Sequence, residues 1–360
     1  MITLGMVSIR EDFRRDGLAA NFLADAELIR YTAESFPMAR INIGYPGICN
    51  SEYRACEDIL TGNQDVSAEL CVVGHSRRDH VNIIGQLAQL HKSASANIWI
   101  PCSDKFIAAT IGLPPTEVLE NTKRMIDYWN AQYGARPLDV ALADCTTEEP
   151  DLQERVVNWA EALLHHGARN VIVCDTQGVA TPDAIHALFT KFDSGLMQRI
   201  EFHPHNDNGL AIENSLVALH HGVRYIGTSI YRGGERRTML DPRSLLLYGL
   251  QFDPQSFAKF EKRYHQLIGN PDAVLDTIFG NNTIVTGTQY RLRDRDPSLR
   301  PLFGVTTDSH IVSSMLDIPP EEVSQSLLAQ LKDRFLYEGK KLFLTAEELR
   351  AAVCTRGVSR

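Results

Sequence analysis

The chain has 360 residues, 44% of them hydrophobic, which is enough for a large core in one barrel with an appendage or in two ordinary domains. A formal net charge of -9 and a pI near 5.7 argue against a nucleic-acid surface or an anionic membrane partner. No apolar run approaches the roughly 18 residues of a membrane span. Met1 to Arg15 turns charged too early for a signal peptide, and the cysteines are scattered without CxxC spacing, so reduced thiols in a cytoplasm are expected.

Short apolar runs alternate with helical stretches along the first two thirds of the chain, as βα units feeding a parallel sheet do. Strands are expected at Ile2 to Ile9, Arg40 to Gly44, Glu69 to Gly74, Asn97 to Pro101, Leu138 to Ala143, Asn170 to Cys174, Arg199 to His203 and Arg224 to Ser229. Helices are expected at Asp25 to Ser35, Ser51 to Leu60, Pro115 to Tyr133, Asp151 to His166, Pro182 to Phe192 and Gly209 to His220, several opened by Pro or Asp. The echo of His165-His166-Gly167-Ala168-Arg169 in His220-His221-Gly222-Val223-Arg224 marks a repeated helix end running into a strand. Eight such units in about 250 residues predict an α/β fold of the (β/α)8 TIM barrel type; the weak alternation of the strands leaves a doubly wound sheet as the second architecture.

The polar residues gather where such a barrel keeps its chemistry, after the strands. They are Arg10 and Glu11, His75 and Arg77, Ser103 and Asp104, Asp144, Asp175 and Thr176, His203 and His205, and Glu235 and Arg236. Beyond about residue 252 the βα rhythm stops. Phe257 to Ile268, Asp272 to Phe279, Pro320 to Tyr337 and Thr345 to Val353 read as helical, around a charged stretch from Thr283 to Pro301. A catalytic barrel over 1–252, a linker arm or lid over 253–300 and a small helical subdomain over 301–360 are therefore expected.

His203-Pro204-His205-Asn206-Asp207-Asn208-Gly209 closes a strand and opens a helix. Residues two apart on a strand point the same way, so both imidazoles can face one point, a metal-ligand geometry. The alternative is two surface histidines at a strand end. Imidazole suits several divalent ions, and a catalytic ion needs a third protein ligand. Glu11, at the end of the first strand, can join His203 and His205, with Arg10 beside it neutralising an oxyanion. Thr176 in Asp175-Thr176-Gln177-Gly178 either holds a substrate carboxylate or closes a loop. Gly233-Gly234-Glu235-Arg236-Arg237 suits an anion, although it lacks the spacing of a phosphate loop.

Taken together, Ser8-Ile9-Arg10-Glu11, Asp175-Thr176-Gln177-Gly178 with Thr181-Pro182, the His203 to Asp207 motif with Gly209-Leu210-Ala211 and Asn214-Ser215-Leu216, and Gly234-Glu235-Arg236 resemble the DRE-TIM metallolyases. That superfamily includes isopropylmalate, homocitrate and citramalate synthases and hydroxymethylglutaryl-CoA lyase. The resemblance implies a barrel with a divalent metal (Mg, Mn, Zn or Co) on Glu11, His203 and His205. It also implies a homodimer in which the arm of one subunit covers the other's barrel, and 2-oxo acid and acyl-CoA substrates. Arg10 would be the oxyanion-stabilising cation, with His75, Arg77, Asp144, Thr176 and Arg236 around the substrate and Glu235 among the catalytic groups. The tail, from Asn281-Asn282-Thr283 through Phe303-Gly304-Val305, is similar to that of the synthases.

Three positions depart from the pattern. The second-strand glutamate falls on Asn42, the asparagine after Gly-Glu-Arg falls on Met239, and the arm histidines are absent from Tyr290-Arg291-Leu292-Arg293-Asp294. His310 or Tyr290 is then the expected base, and Arg291, Arg293 and Arg295 suit an extra anion. The expected reaction is a Claisen-type acyl transfer to a 2-oxo acid. The rivals are a metal-dependent lyase or aldolase and a non-catalytic barrel.

Overall fold

The computed structural model describes residues 7–16, 25–37, 39–134, 136–232, 237–268, 284–285, 300–304, 307–338 and 344–354. Eight strands close into one barrel in sequence order: β1 Ser8–Glu11, β2 Arg40–Gly44, β3 Glu69–His75, β4 Ala94–Pro101, β5 Leu138–Ala143, β6 Val171–Asp175, β7 Ile200–Pro204 and β8 Tyr225–Thr228. Neighbouring strands run parallel, and β8 returns to β1 through Ser8↔Tyr225 and Arg10↔Gly227. The fold is the (β/α)8 barrel, and the doubly wound alternative falls.

The strand faces explain the weak alternation. Ile9, Ile41, Ile43, Val72, Ile98, Val140, Leu142, Val173 and Phe202 join the main apolar core with the surrounding helices. The opposite face holds a small separate cluster, Ala141, Ile172 and Cys174 against Trp99, together with charged residues. With both faces buried, the sequence shows little polar-in, polar-out contrast. The first strand runs to Glu11, two residues beyond its expected end at Ile9, and the expected residues 2–6 lie outside the described ones.

The helices of the barrel's outer layer include α1 Phe13–Asp16, α2 Ala26–Ser35, α3 Asn50–Gly62, α4 Arg78–Ala88, α5 Asp104–Thr110, α6 Pro115–Tyr133, α7 Leu152–His166, α8 Pro182–Thr190 and α9 Ala211–His220. Proline at the first turn opens α6 and α8, and the Thr181 hydroxyl accepts from Ala184 N to cap α8. Helix α10, Pro254–Ile268, carries Phe257, Phe260 and Tyr264 into the main core and packs beside α2. The segment assigned to an arm thus begins with a helix bound to the barrel.

The C-terminal segment has its own core of Phe303, Ile311, Val312, Met315, Leu328, Leu331, Leu336, Leu344 and Leu349, against which Ile48 of the barrel also packs. Its helices are Ser309–Leu316, Gln325–Leu331 and Ala346–Cys354, with a π-helical turn at Lys332–Glu338. Among the described residues, no helix is long and apolar enough to cross a membrane.

Candidate active site

Charged side chains fill the floor of the barrel, at the N-terminal ends of its strands. Arg10 donates from Nε to Glu201 Oε2 at 2.7 Å and from Nη2 to Asp139 Oδ2 at 2.6 Å. Arg169 donates to both Asp139 oxygens, at 2.8 and 2.6 Å, and to both Glu69 oxygens, at 2.7 and 2.6 Å. Arg40 reaches Glu201 and, at 3.5 Å, Glu69, while its guanidinium lies 3.8 Å from the centre of the Tyr225 ring. Three guanidinium groups thus face three carboxylates, Glu69, Asp139 and Glu201. Burial alone would raise the Asp139 carboxyl, but Arg169 and Arg10 outweigh it and hold that group well below the usual range. Arg10 was expected to face an oxyanion. The floor carboxylates engage its guanidinium instead.

One layer higher, the donor set differs from the expected trio. Arg10 in β1 and Asp12, directly after the strand, lie two residues apart and face one way, and Glu11 faces the other. Asp12 Oδ2 stands 3.2 Å from His203 Nδ1, and both side chains are buried. The rings of His203 and His205 are 5.2 Å apart. Glu11 is occupied elsewhere: Oε1 accepts from Phe13 N at 3.1 Å and Ile230 N at 2.9 Å, and Oε2 accepts from the Thr228 hydroxyl at 2.7 Å. Burial pushes its carboxyl up to about 8, against the Thr228 and Ile230 donors and with help from Asp12 and Asp241. Among the described residues, no three or more of His, Cys, Asp and Glu form a group able to hold a metal, so neither Glu11 nor Asp12 is assembled with His203 and His205 as one.

As a test of fit, the 3.2 Å between Asp12 and His203 matches two ligands about 2.1 Å from a shared ion at an angle of about 100°. One carboxylate and two imidazoles also suit a borderline divalent ion. The spacing of the pair is compatible with a shared ion, and the His205 ring lies 5.2 Å from that of His203.

Two of the three departures from the family pattern touch this cluster. Asn42 donates from Nδ2 to Asp12 Oδ1 and accepts at Oδ1 from Arg10 Nη1 at 3.4 Å. Met239 bridges to His205 along the backbone. Gly227 makes room for it, because a Cβ there would lie 2.7 Å from Met239 Cε and 3.0 Å from His203 Nδ1.

The remaining expected residues separate. Thr176 accepts at its hydroxyl from Asp144 N at 2.7 Å, and the Asp144 carboxylate accepts from Ser103 at 2.5 Å and Thr147 at 2.6 Å, so these groups tie three rim loops together. His75 stands among Tyr45, His80 and Trp99, its ring 4.3 Å from that of Trp99, and burial lowers it to about 3. Arg77 is half exposed, at 51%, and pairs with Asp79 at 2.6 Å. His310 is exposed on helix Ser309–Leu316. Glu235, Arg236 and Tyr290 lie outside the described residues, as do Arg291, Arg293 and Arg295.

Sequence reasoning missed Asp12, Asn97, Asp139 and Glu201. Asp12 carried a signal, since it follows Arg10 at the same spacing that made His203 and His205 notable. Asn97, fully buried on β4, has no hydrogen-bond partner for either amide atom among the described residues.

The C-terminal segment docks at the rim beside β2. Glu52 accepts from Arg14 at 2.7 and 3.1 Å, from Tyr45 N at 2.9 Å and from the Tyr337 hydroxyl, and Asp333 accepts from Ser51 N at 2.8 Å. Gly44, at φ +142°, leaves the space in which Arg14 and Glu52 meet, and a side chain there would overlap both. Lys332 is buried behind this contact, near Cys49, Asp308 and Glu52, and burial lowers it to about 8.

A closed parallel barrel with a buried carboxylate beside two imidazoles at its mouth defines a (β/α)8 protein whose polar cluster lies where such barrels keep their chemistry. The HMGL-like family model matches residues 26–241, and the chain belongs to that family, within the DRE-TIM metallolyase superfamily. Similar curated proteins include the 2-isopropylmalate synthase of Pseudoalteromonas atlantica, 27% identical over 239 residues, covering 64% of this chain and 44% of the relative. The probable 2-isopropylmalate synthase of Archaeoglobus fulgidus is 25% identical over 198 residues, covering 54% and 37%. The chain spans less than half the length of these relatives. Among solved structures, the Bacillus subtilis HMG-CoA lyase matches with a TM-score of 0.61 at 17% identity, over 75% of this chain and 96% of the lyase. The carboxyl transferase domain of Rhizobium etli pyruvate carboxylase matches at 0.55 and 14% identity, over 93% and 53%. These likenesses show the fold.

Proposed function

We propose that the chain is a divalent-metal-dependent enzyme that condenses acetyl-CoA, or a similar acyl-CoA, with a 2-oxo acid in a Claisen-type reaction, giving a 2-substituted malate. The observation that carries this reading is the Asp12 and His203 pair at the mouth, 3.2 Å apart with His205 beside it. Asp12, His203 and His205 would hold the ion, Asp12 in the place first expected of Glu11. When bound there, a divalent ion supplies Lewis acidity for the carbonyl of the oxo acid.

The chain's own groups do the rest. Thr176 and Asp144 shape the rim beside the cluster, and the floor's ion pairs hold Arg10 still beneath it. His75 and Trp99 offer an uncharged aromatic wall to the acyl donor. Arg236 and Glu235, after β8, would be the anion-binding and acid-base groups, and His310 or Tyr290 the proton acceptor. A homodimer with exchanged arms and the synthase direction belong to the same reading.

Synthesis is favoured over cleavage because the chain continues past the barrel into a helical segment docked on the rim through Glu52, Tyr337 and Asp333. The match to the B. subtilis lyase covers 75% of this chain. The test mixes the Mn2+-loaded protein with acetyl-CoA and a panel of 2-oxo acids and follows free thiol. One acid that releases thiol stoichiometrically with a new tertiary alcohol supports the reading, and silence across the panel with metal bound overturns it.

A further inference from the structure

We infer that Asn42 is the positioning residue of the mouth carboxylate: its amide ties Asp12 to the charged floor and turns Oδ2 of Asp12 toward His203. The inference rests on the reading above only for what the cluster binds; the geometry of Asp12 stands apart from it.

Asn42 is fully buried in the middle of β2, between the two layers. An arginine only donates, so the amide atom facing Arg10 Nη1 at 3.4 Å must be Oδ1. The orientation of the amide then has no second solution, and Nδ2 must face Asp12, where it donates to Oδ1. Arg10 is itself immobilised by Glu201 at 2.7 Å and Asp139 at 2.6 Å, so the far end of the link is rigid. With Oδ1 of Asp12 engaged, Oδ2 is the oxygen that lies 3.2 Å from His203 Nδ1.

Few side chains do this. Position 42 needs an acceptor toward Arg10 and a donor toward Asp12 at a reach of one methylene, which asparagine supplies and a carboxylate does not. A glutamate or aspartate would still accept from Arg10. Toward Asp12, however, it would present a second negative oxygen, in a floor where three guanidinium groups already face three carboxylates. The asparagine that departs from the family pattern is thus fitted to a chain in which Asp12, rather than Glu11, faces the histidines.

The test compares the wild type with Asn42→Asp, which keeps the shape and loses the donor, and Asn42→Ala, which removes the whole link. Mn2+ affinity is measured by calorimetry, and metal-free crystals are examined for the position of Asp12. The expected result is a loss of affinity of roughly ten- to a hundredfold in both variants, as for other groups that orient ligands, with the Asp12 carboxylate turned away from His203. A packing role alone would leave the Asp12 carboxylate against His203 in Asn42→Ala. Affinities within about twofold of the wild type or tighter, or an Asp12 that stays against His203 in Asn42→Ala, overturn the inference. If the wild type takes up no Mn2+, the metal reading falls, and the Asp12 position in Asn42→Ala alone decides the role of Asn42.

Discussion

The floor and the mouth of this barrel are built from the same kinds of side chain and do opposite things with them. On the floor, Glu69, Asp139 and Glu201 are matched by Arg10, Arg40 and Arg169, so the ions satisfy one another. At the mouth, Asp12 meets an imidazole and an amide. Buried charge that is fully paired by cations is architecture. Buried charge beside imidazoles is the arrangement that the proposed metal would use. Arg10, read from the sequence as part of the chemistry, belongs to the floor and reaches the mouth through Asn42.

The largest effect is expected from breaking the floor. Glu201→Ala leaves Arg10 and Arg40 buried beside a missing carboxylate, and removing one partner of a buried pair costs about 3–5 kcal/mol. Denaturant unfolding should show a loss of that size, much of the stability of an ordinary domain. A loss under about 1 kcal/mol would mean that the floor does not hold its ions as tightly as its geometry implies.

The C-terminal dock gives a smaller effect with a defined pH dependence. An unfolded Lys332 keeps its proton up to its ordinary value of 10.5, whereas the buried one releases it near 8. The unfolded state therefore binds the proton more tightly. The destabilisation is complete below pH 8 and fades as pH rises toward 10.5. Lys332→Met should raise the thermal midpoint at pH 7, with a gain that shrinks between pH 8 and 10. A gain that is constant with pH would show that the ammonium is not the cause.

The smallest effect is expected at Arg77, whose guanidinium is half exposed on Asp79. Arg77→Ala should change stability by under about 0.5 kcal/mol and leave turnover as it was. A fall in turnover would bring Arg77 back among the substrate contacts.

Much of the fold was legible because β2, β4, β6 and β7 end on Gly44, Pro101, Asp175 and Pro204, residue types that close strands, and Gly167 and Gly222 punctuate the repeat. The two histidines were legible from spacing alone. Asp12 was hidden beside Glu11, the acidic residue that the resemblance implies, although the strand period places Asp12, and not Glu11, on the side of Arg10. The floor was invisible for a different reason: Arg10 and Glu201 are 191 residues apart, and no local pattern joins them. The docking of Tyr337 on Glu52, 285 residues apart, was hidden in the same way.

The central claim is that Asp12, His203 and His205 form the donor set at the mouth. Anomalous scattering from crystals soaked in Mn2+ tests it most directly, with His203→Ala crystals as the comparison. The account predicts one peak beside Asp12 and the two imidazoles, absent in the variant. A peak on the carboxylate of Glu11, or one that persists without His203, would contradict it.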